Sequence, residues 1–374
     1  MNAAPIAPLP PGPPPRPEAK VPVEALAGYA DRIDVRSPGE FALDHLPGAI
    51  NLPILDDAER ARVGALYVQV SAFEARKLGA ALVARNIARI VETEVRDRPP
   101  EWSPLVYCWR GGQRSRAFVH VLREIGFRAV QLDGGYRAWR RYVTATLAAL
   151  PLRFRYRVVC GLTGSGKSRL IEALAAEGAQ VLDLEALARH RGSLLGDIPG
   201  APQPTQKAFE SALVDVLGRF DAARPVFVES ESRRIGRLQT PAALLAAMRG
   251  SECIRVETPA ALRVAMLAED YAHLVAGRKQ LRALLARLAS LHGRETAARW
   301  EAMAEAGDAA ALVRELLDHH YDPLYERAIE RNFAHHRDAR AATVTDTSAA
   351  GFRSLARRVL EDDAQRVEPL PVAG

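Results

Sequence analysis

Eight consecutive residues, Gly161-Leu162-Thr163-Gly164-Ser165-Gly166-Lys167-Ser168, constrain the fold of this chain more than any other feature. They satisfy the pattern G-x-x-x-x-G-K-[ST], directly after an apolar run ending at Cys160 and directly before a run with Leu170, Ile171 and Leu174 at helical spacing. Such a loop cradles phosphate with backbone N–H groups, while Lys167 neutralises the terminal oxygens and Ser168 is placed to ligate Mg²⁺. It needs a strand feeding a helix at the carboxyl edge of a parallel sheet, so an α/β fold is expected. Gly161, Gly164, Ser165, Gly166, Lys167, Ser168 and the following Arg169 are the candidate phosphate-binding residues. No base-reading signature accompanies the loop, so it suits the diphosphate of ATP or of another molecule.

Further strands are expected at Val181–Leu184, Pro225–Val228 and Cys253–Val256, and a mostly helical stretch after Pro259. Glu229 and Glu231 end one of these strands, and Asp183 and Glu185 follow another. In a parallel sheet these carboxylates share an edge with the phosphate loop, where Glu229 or Glu231 is either a ligand of metal-bound water, a base, or simply a polar strand end.

A second chemical feature lies upstream. Cys108 ends the short apolar run Pro104–Tyr107, and Trp109-Arg110-Gly111-Gly112-Gln113-Arg114-Ser115 leads into a helix with Phe118, Val119, Leu122 and Ile125 on one face. The two glycines let the backbone curl so that its N–H groups point inward, and the helix N-terminus with Arg114 adds positive potential, with Arg110 beside it in the loop. Such a setting favours a thiolate and holds an anion beside its sulfur. Cys108, Arg110 and Arg114 are therefore the candidate catalytic residues.

Around this loop, Asp34-Val35-Arg36-Ser37, Glu40-Phe41, His45-Leu46-Pro47-Gly48-Ala49-Ile50-Asn51-Leu52-Pro53 and Leu132-Asp133-Gly134-Gly135 with Trp139 resemble the rhodanese domain, over about residues 23–143. The resemblance implies a cysteine that carries sulfur or selenium. Phosphatases of the same fold share the C-x5-R spacing, so the loop alone leaves phosphate-ester hydrolysis open. A C-x5-R phosphatase or sulfurtransferase fused to a nucleotide-binding, kinase-like domain is the alternative reading. A non-catalytic RNA-binding protein is a third, disfavoured by the intact Cys108, Lys167 and Ser168.

The order of the two halves is more informative than either. Together with Asp183-Leu184-Glu185, His190-Arg191-Gly192-Ser193, Gln203-Pro204-Thr205-Gln206-Lys207, Phe209-Glu210, Glu229-Ser230-Glu231-Ser232-Arg233-Arg234-Ile235-Gly236 and Tyr321-Asp322-Pro323-Leu324-Tyr325, they resemble the tRNA 2-selenouridine synthase family. The resemblance implies conversion of wobble 2-thiouridine to 2-selenouridine through an S-geranylated intermediate, with geranyl diphosphate and selenophosphate as co-substrates and the anticodon loop of tRNA as partner. It implies no tightly bound cofactor, with Mg²⁺ at the phosphate loop as the one cation expected.

The expected layout is a Pro-rich tail over 1–20, a rhodanese-like domain over 21–148, a P-loop NTPase-like core over 151–258, a helical portion over 259–363 and a tail over 364–374. The chain carries 51 Lys+Arg against 45 Asp+Glu, a net +6 that permits a polyanionic partner without demanding one. Arg153, Arg155, Arg157, Arg189–Arg191, Arg233, Arg234, Arg278, Lys279 and Arg282 are candidate RNA contacts. Trp109 and Tyr321 are expected to pack rather than to stack on a base. The paired histidines His319-His320 and His335-His336 lack a Cys/Asp framework and are assigned no metal. No apolar run reaches the roughly 20 residues of a membrane span. The N-terminus lacks the basic and apolar regions of a secretory signal, and three cysteines fit a reducing compartment. A cytoplasmic protein is expected.

Overall fold

The computed structural model describes residues 20–192, 196–198, 200–270, 285, 288 and 292–365. The Pro-rich stretch up to residue 19, Ser193, the basic residues 278, 279 and 282, and the end from residue 366 lie outside them. Lys20, expected to close the tail, already belongs to a strand. The chain divides into two compact units, 1–144 and 145–374.

In the first unit five parallel strands lie in the order β1-β5-β4-β2-β3: β1 Lys20–Val21, β2 Arg32–Asp34, β3 Ala49–Asn51, β4 Leu105–Tyr107 and β5 Val130–Leu132. The central strand β4 is wholly buried and delivers Cys108 to the carboxyl edge. Helices α1 Pro38–Leu43, α2 Asp57–Gln69, α3 Ala72–Ile90, α4 Gln113–Ile125 and α5 Gly135–Ala149 complete the unit; the division between the units falls within α5. Ile33, Val106, Phe118, Leu122, Ile87 and Trp102 form one core, which is why α3 and α4 carry apolar residues at helical spacing.

The Asp34-Val35-Arg36 motif is structural. Arg36 is 1 % exposed and donates to both Asp34 oxygens at 2.6–3.0 Å and to the Asp44 carbonyl at 2.7 Å. Its guanidinium lies 3.9 Å from the Tyr136 ring centroid. Removing one partner of such a buried pair strands the other charge, at a cost of about 3–5 kcal/mol.

In the second unit five parallel strands lie in the order β12-β11-β6-β8-β7: β6 Tyr156–Cys160, β7 Gln180–Leu182, β8 Val226–Glu229, β11 Glu252–Glu257 and β12 His335–Thr343. A small antiparallel pair, β9 Arg234–Ile235 and β10 Leu238–Gln239, lies between β8 and β11 in the chain. Helices α6 Lys167–Ala176, α7 Leu184–Ala188, α8 Gln206–Leu217, α9 Ala242–Arg249 and α10 Ala260–Asp270 follow the strands. Strand β6 begins only at Tyr156, because the preceding Leu150–Arg153, with Pro151 at its start, forms a 3-10 turn.

Helices occupy most of the described residues after Pro259, and among these residues one strand that the sequence conceals interrupts them. His335–Thr343 is not helical but forms the edge strand β12, parallel to β11, so His335 and His336 lie on a strand. The last helix, Ala349–Ala364, then packs Phe352, Leu355 and Val359 against Leu170, Ile171 and Leu174 of α6. A separate apolar cluster joins Leu285, Leu288, Trp300, Leu312, Leu316 and Tyr321; Leu281, Leu284 and Leu291, which share their helical spacing in the sequence, lie outside the described residues. Among the described residues no helix is long and apolar enough to cross a membrane.

Candidate functional site

The cysteine loop is closed by the segment that follows β5. Tyr136 N–H donates to the Cys108 carbonyl at 2.9 Å and Arg137 N–H to the Trp109 carbonyl at 3.1 Å. Gly135, at φ +56°, lies so close that any Cβ would overlap the Cys108 carbonyl oxygen and the Gly111 nitrogen. Only glycine permits this crossing, which explains the Gly134-Gly135 pair.

Cys108 is 3 % exposed. Its Sγ accepts from Gly112 N–H at 3.3 Å and from the Ser115 hydroxyl at 3.1 Å. Gln131 on β5 donates to Ser115 Oγ at 2.7 Å and to the Gly112 carbonyl at 3.0 Å, fixing the hydroxyl that faces the sulfur. Ser115 and Gln131 were not among the expected site residues. Ser115 stands in the loop motif, but Gln131 carries no local signal.

The two arginines depart from expectation. Arg110 is exposed, and neither it nor Arg114 is hydrogen-bonded to the sulfur. Arg114 donates to Glu40 at 3.1 Å. Burial would raise the Glu40 carboxyl, but the Arg114 charge, with Ser37 N–H and Arg60, outweighs it and holds the group below its ordinary value. The positive charge expected at the sulfur is thus partly neutralised by a carboxylate 74 positions away.

In the second unit the phosphate loop joins β6 to α6, with Gly166 as the N-cap. Lys167 Nζ donates to the Gly161 and Leu162 carbonyls at 2.9 and 3.1 Å and lies 5.3 Å from the Tyr325 ring centroid. Ser168 Oγ donates to Glu185 at 3.0 Å. Arg169 turns to Glu269 and Asp270, both at 3.0 Å, so its charge is neutralised by carboxylates.

Glu185, Glu229 and Glu231 converge, each offering an oxygen within 4.8 Å of the others. Asp183 instead caps α7 through Ala186 N–H at 2.7 Å. Glu229 is 1 % exposed, and neither of its oxygens has a hydrogen-bond partner among the described residues. Burial, then the neighbouring carboxylates, pushes Glu229 well above its ordinary value, and burial with the Glu231 charge pushes Glu185 up to about 8. Gly192, at φ +66°, passes so close that a Cβ would lie 2.5 Å from Glu231 and 2.6 Å from Glu185, which accounts for the His190-Arg191-Gly192 motif. Unsatisfied buried oxygens of this kind, beside a phosphate-loop serine, fit a hard divalent cation.

With this geometry in place, comparison with known proteins is decisive. Residues 23–142 match the rhodanese-like domain, and residues 154–346 match the tRNA 2-selenouridine synthase AAA domain. A tRNA 2-selenouridine synthase of Bdellovibrio bacteriovorus is 33 % identical over 346 residues, 80 % of this chain and 89 % of that one. The chain belongs to the tRNA 2-selenouridine synthase family. A 2-selenouridine synthase of Nitrosomonas europaea is 39 % identical over 250 residues, although the match spans only 63 % of that relative. One from Cupriavidus pinatubonensis is 36 % identical over 335 residues, 81 % of this chain and 89 % of that one.

In this 2-selenouridine synthase family member the late motif Tyr321-Asp322-Pro323-Leu324-Tyr325 has a physical role. A π-turn over Leu317–Tyr321 precedes helix Asp322–Asn332. Asp322 accepts from both terminal nitrogens of Arg263 at 2.6 and 2.9 Å, and Arg263 donates to the Thr163 carbonyl at 2.7 and 3.0 Å. The motif therefore holds the phosphate loop through Arg263 and lays Tyr325 against Lys167. Arg263→Ala is expected to weaken inorganic diphosphate binding by about tenfold, read by calorimetry. Unchanged affinity in the folded variant would refute the clamp.

The carboxylate cluster yields a stability prediction. Its groups bind protons more tightly when folded, so their favourable contribution is present below the unfolded value and is lost as pH rises through the folded one, about 8 for Glu185. Glu229→Gln should raise the melting temperature at pH 8 in chelator, by about 2–4 °C per kcal/mol recovered. The gain should shrink at pH 5, and equal gains at both values would contradict it.

The basic candidates separate. Arg157 is 7 % exposed and pairs with Asp363, so it is a core residue and not an RNA contact. Arg155 donates to the Ala223 carbonyl, Arg191 to the Asp270 carbonyl, while Arg153, Arg189, Arg233 and Arg234 are exposed. Trp109 packs 5.2 Å from Tyr136, and Tyr321 is buried in the helical cluster. His320 bonds His292 at 2.8 Å. Cys160 and Cys253 are buried.

Proposed function

We propose that this chain replaces the sulfur of wobble 2-thiouridine in tRNA with selenium, through an S-geranylated intermediate. The observation that carries the reading is the presence, in one family member, of a hydrogen-bonded thiol at a helix N-terminus and an intact phosphate loop. In the first step the thiocarbonyl sulfur attacks C1 of geranyl diphosphate, the C–O bond breaks and diphosphate leaves. Lys167 and the loop N–H groups are suited to holding that leaving group. Residues Ser168, Glu185, Glu229 and Glu231 would hold a divalent cation, which when bound supplies charge neutralisation for the diphosphate.

In the second step selenium from selenophosphate attacks C2 of the pyrimidine and the S-geranyl group leaves as the thiol, taking its proton from the Cys108 S–H, which is restored by the proton that water releases on taking the phosphoryl group. Water then takes the phosphoryl group. The loop from Cys108 to Ser115 supplies the chalcogen-handling thiol and the anion cradle, with Arg110 and Arg114 as its nearest basic residues in sequence. A tRNA substrate supports a cytoplasmic location. Incubating tRNA that bears 2-thiouridine with the protein and geranyl diphosphate alone should release diphosphate and add one geranyl mass to that nucleoside. Hydrolysis of geranyl diphosphate without RNA alkylation would overturn the first step.

A further inference from the structure

A groove of about 1170 Å³ runs along the first unit between α2, α3 and α4. Its floor is apolar, built from Leu55, Val63, Val83 and Ala117. Helix α2 buries none of its residues, so its apolar side chains remain available to the groove. One end is formed by Gln113 and Arg114, in the same turn of α4 whose Ser115 hydroxyl donates to Cys108. The groove is therefore continuous with the helix end that carries the cysteine loop.

Its rim is basic. Arg76 and Arg116 line it, are exposed, and have no acidic partner among the described residues. Apolar floor and unpaired cationic rim together select a hydrocarbon chain carried on a polyanion.

We propose that this groove holds the S-geranyl chain of the modified uridine while its C2 faces the cysteine loop, with the flanking RNA phosphates on Arg76 and Arg116. This rests on the two-step reading above. Selenium can attack only a pyrimidine brought to the loop, and the alkyl chain on the adjacent sulfur must then lie within reach of it. Chain burial makes geranylated RNA the preferred ligand at the second step.

The test is binding of the full chain to an anticodon stem-loop carrying S-geranyl-2-thiouridine, against the same RNA carrying 2-thiouridine. Wild type should prefer the geranylated RNA by at least about tenfold. Ala80→Trp, which fills the groove from an exposed position on α3, should abolish the preference, leaving 2-thiouridine RNA binding and the rate of alkylation by geranyl diphosphate unchanged. Arg116→Glu should weaken both RNAs alike. A preference that survives Ala80→Trp, or a variant that instead raises the KM for geranyl diphosphate, would overturn the proposal. So would Ala80→Trp changing only the oligomeric state. Preference for geranylated RNA without any turnover would sink the reaction and leave the groove standing; turnover without preference would do the reverse.

Discussion

Cys108→Ala should stop selenium entry into S-geranylated tRNA, with a loss on the order of a thousandfold or more, while alkylation of 2-thiouridine continues near the wild-type rate. The asymmetry follows from where the thiol sits. Its sulfur is held by Gly112 N–H and by a Ser115 hydroxyl that Gln131 fixes, all within the first unit. Burial keeps bulk water from the sulfur, and the helix end beside it offers N–H groups to an anion. Alanine preserves the backbone curl, since Gly135 contacts the Cys108 carbonyl and not its side chain. Loss of selenation therefore reports on the thiol rather than on the fold. The check is single-turnover selenation of pre-geranylated RNA beside alkylation assayed separately. Equal loss of both steps in the folded variant would contradict the division of labour.

Lys167→Ala should have the second-largest effect, a fall of about 10²–10³-fold in alkylation with geranyl diphosphate, and little effect on selenation of RNA already geranylated. Without ligand, the ammonium is held by the Gly161 and Leu162 carbonyls and the Tyr325 ring. A diphosphate offers it stronger, charge-assisted partners, so the side chain is expected to exchange them. The variant should also lose affinity for inorganic diphosphate. Retention of that affinity would mean that the loop serves another ligand.

The parts of the site that are contiguous in the chain were readable from it. Cys108–Ser115 and Gly161–Ser168 each combine a strand end, glycines and a helix start, so local chemistry suffices to recognise them. What escaped depends on distant partners. The Arg114–Glu40 pair spans 74 positions and Arg263–Asp322 spans 59, and no local pattern announces either. The Glu185–Glu229–Glu231 cluster forms because the parallel order sets β7 beside β8, with their carboxyl ends aligned. Strand β12 was concealed for another reason. Among the described residues it pairs only with β11, and much of its length is exposed, so His335–Thr343 tolerates charged residues and shows no apolar run. Arg157 misleads in the opposite sense, since an arginine in a basic run reads as surface until Asp363, 206 positions later, is seen to bury it.

One chain is expected to carry out both steps on the same uridine. The most direct test is mass spectrometry of nucleosides from tRNA bearing 2-thiouridine, after incubation with the full chain, geranyl diphosphate and selenophosphate. The expected product is 2-selenouridine, with S-geranyl-2-thiouridine accumulating when selenophosphate is withheld. Recovery of unmodified 2-thiouridine alone would contradict that expectation.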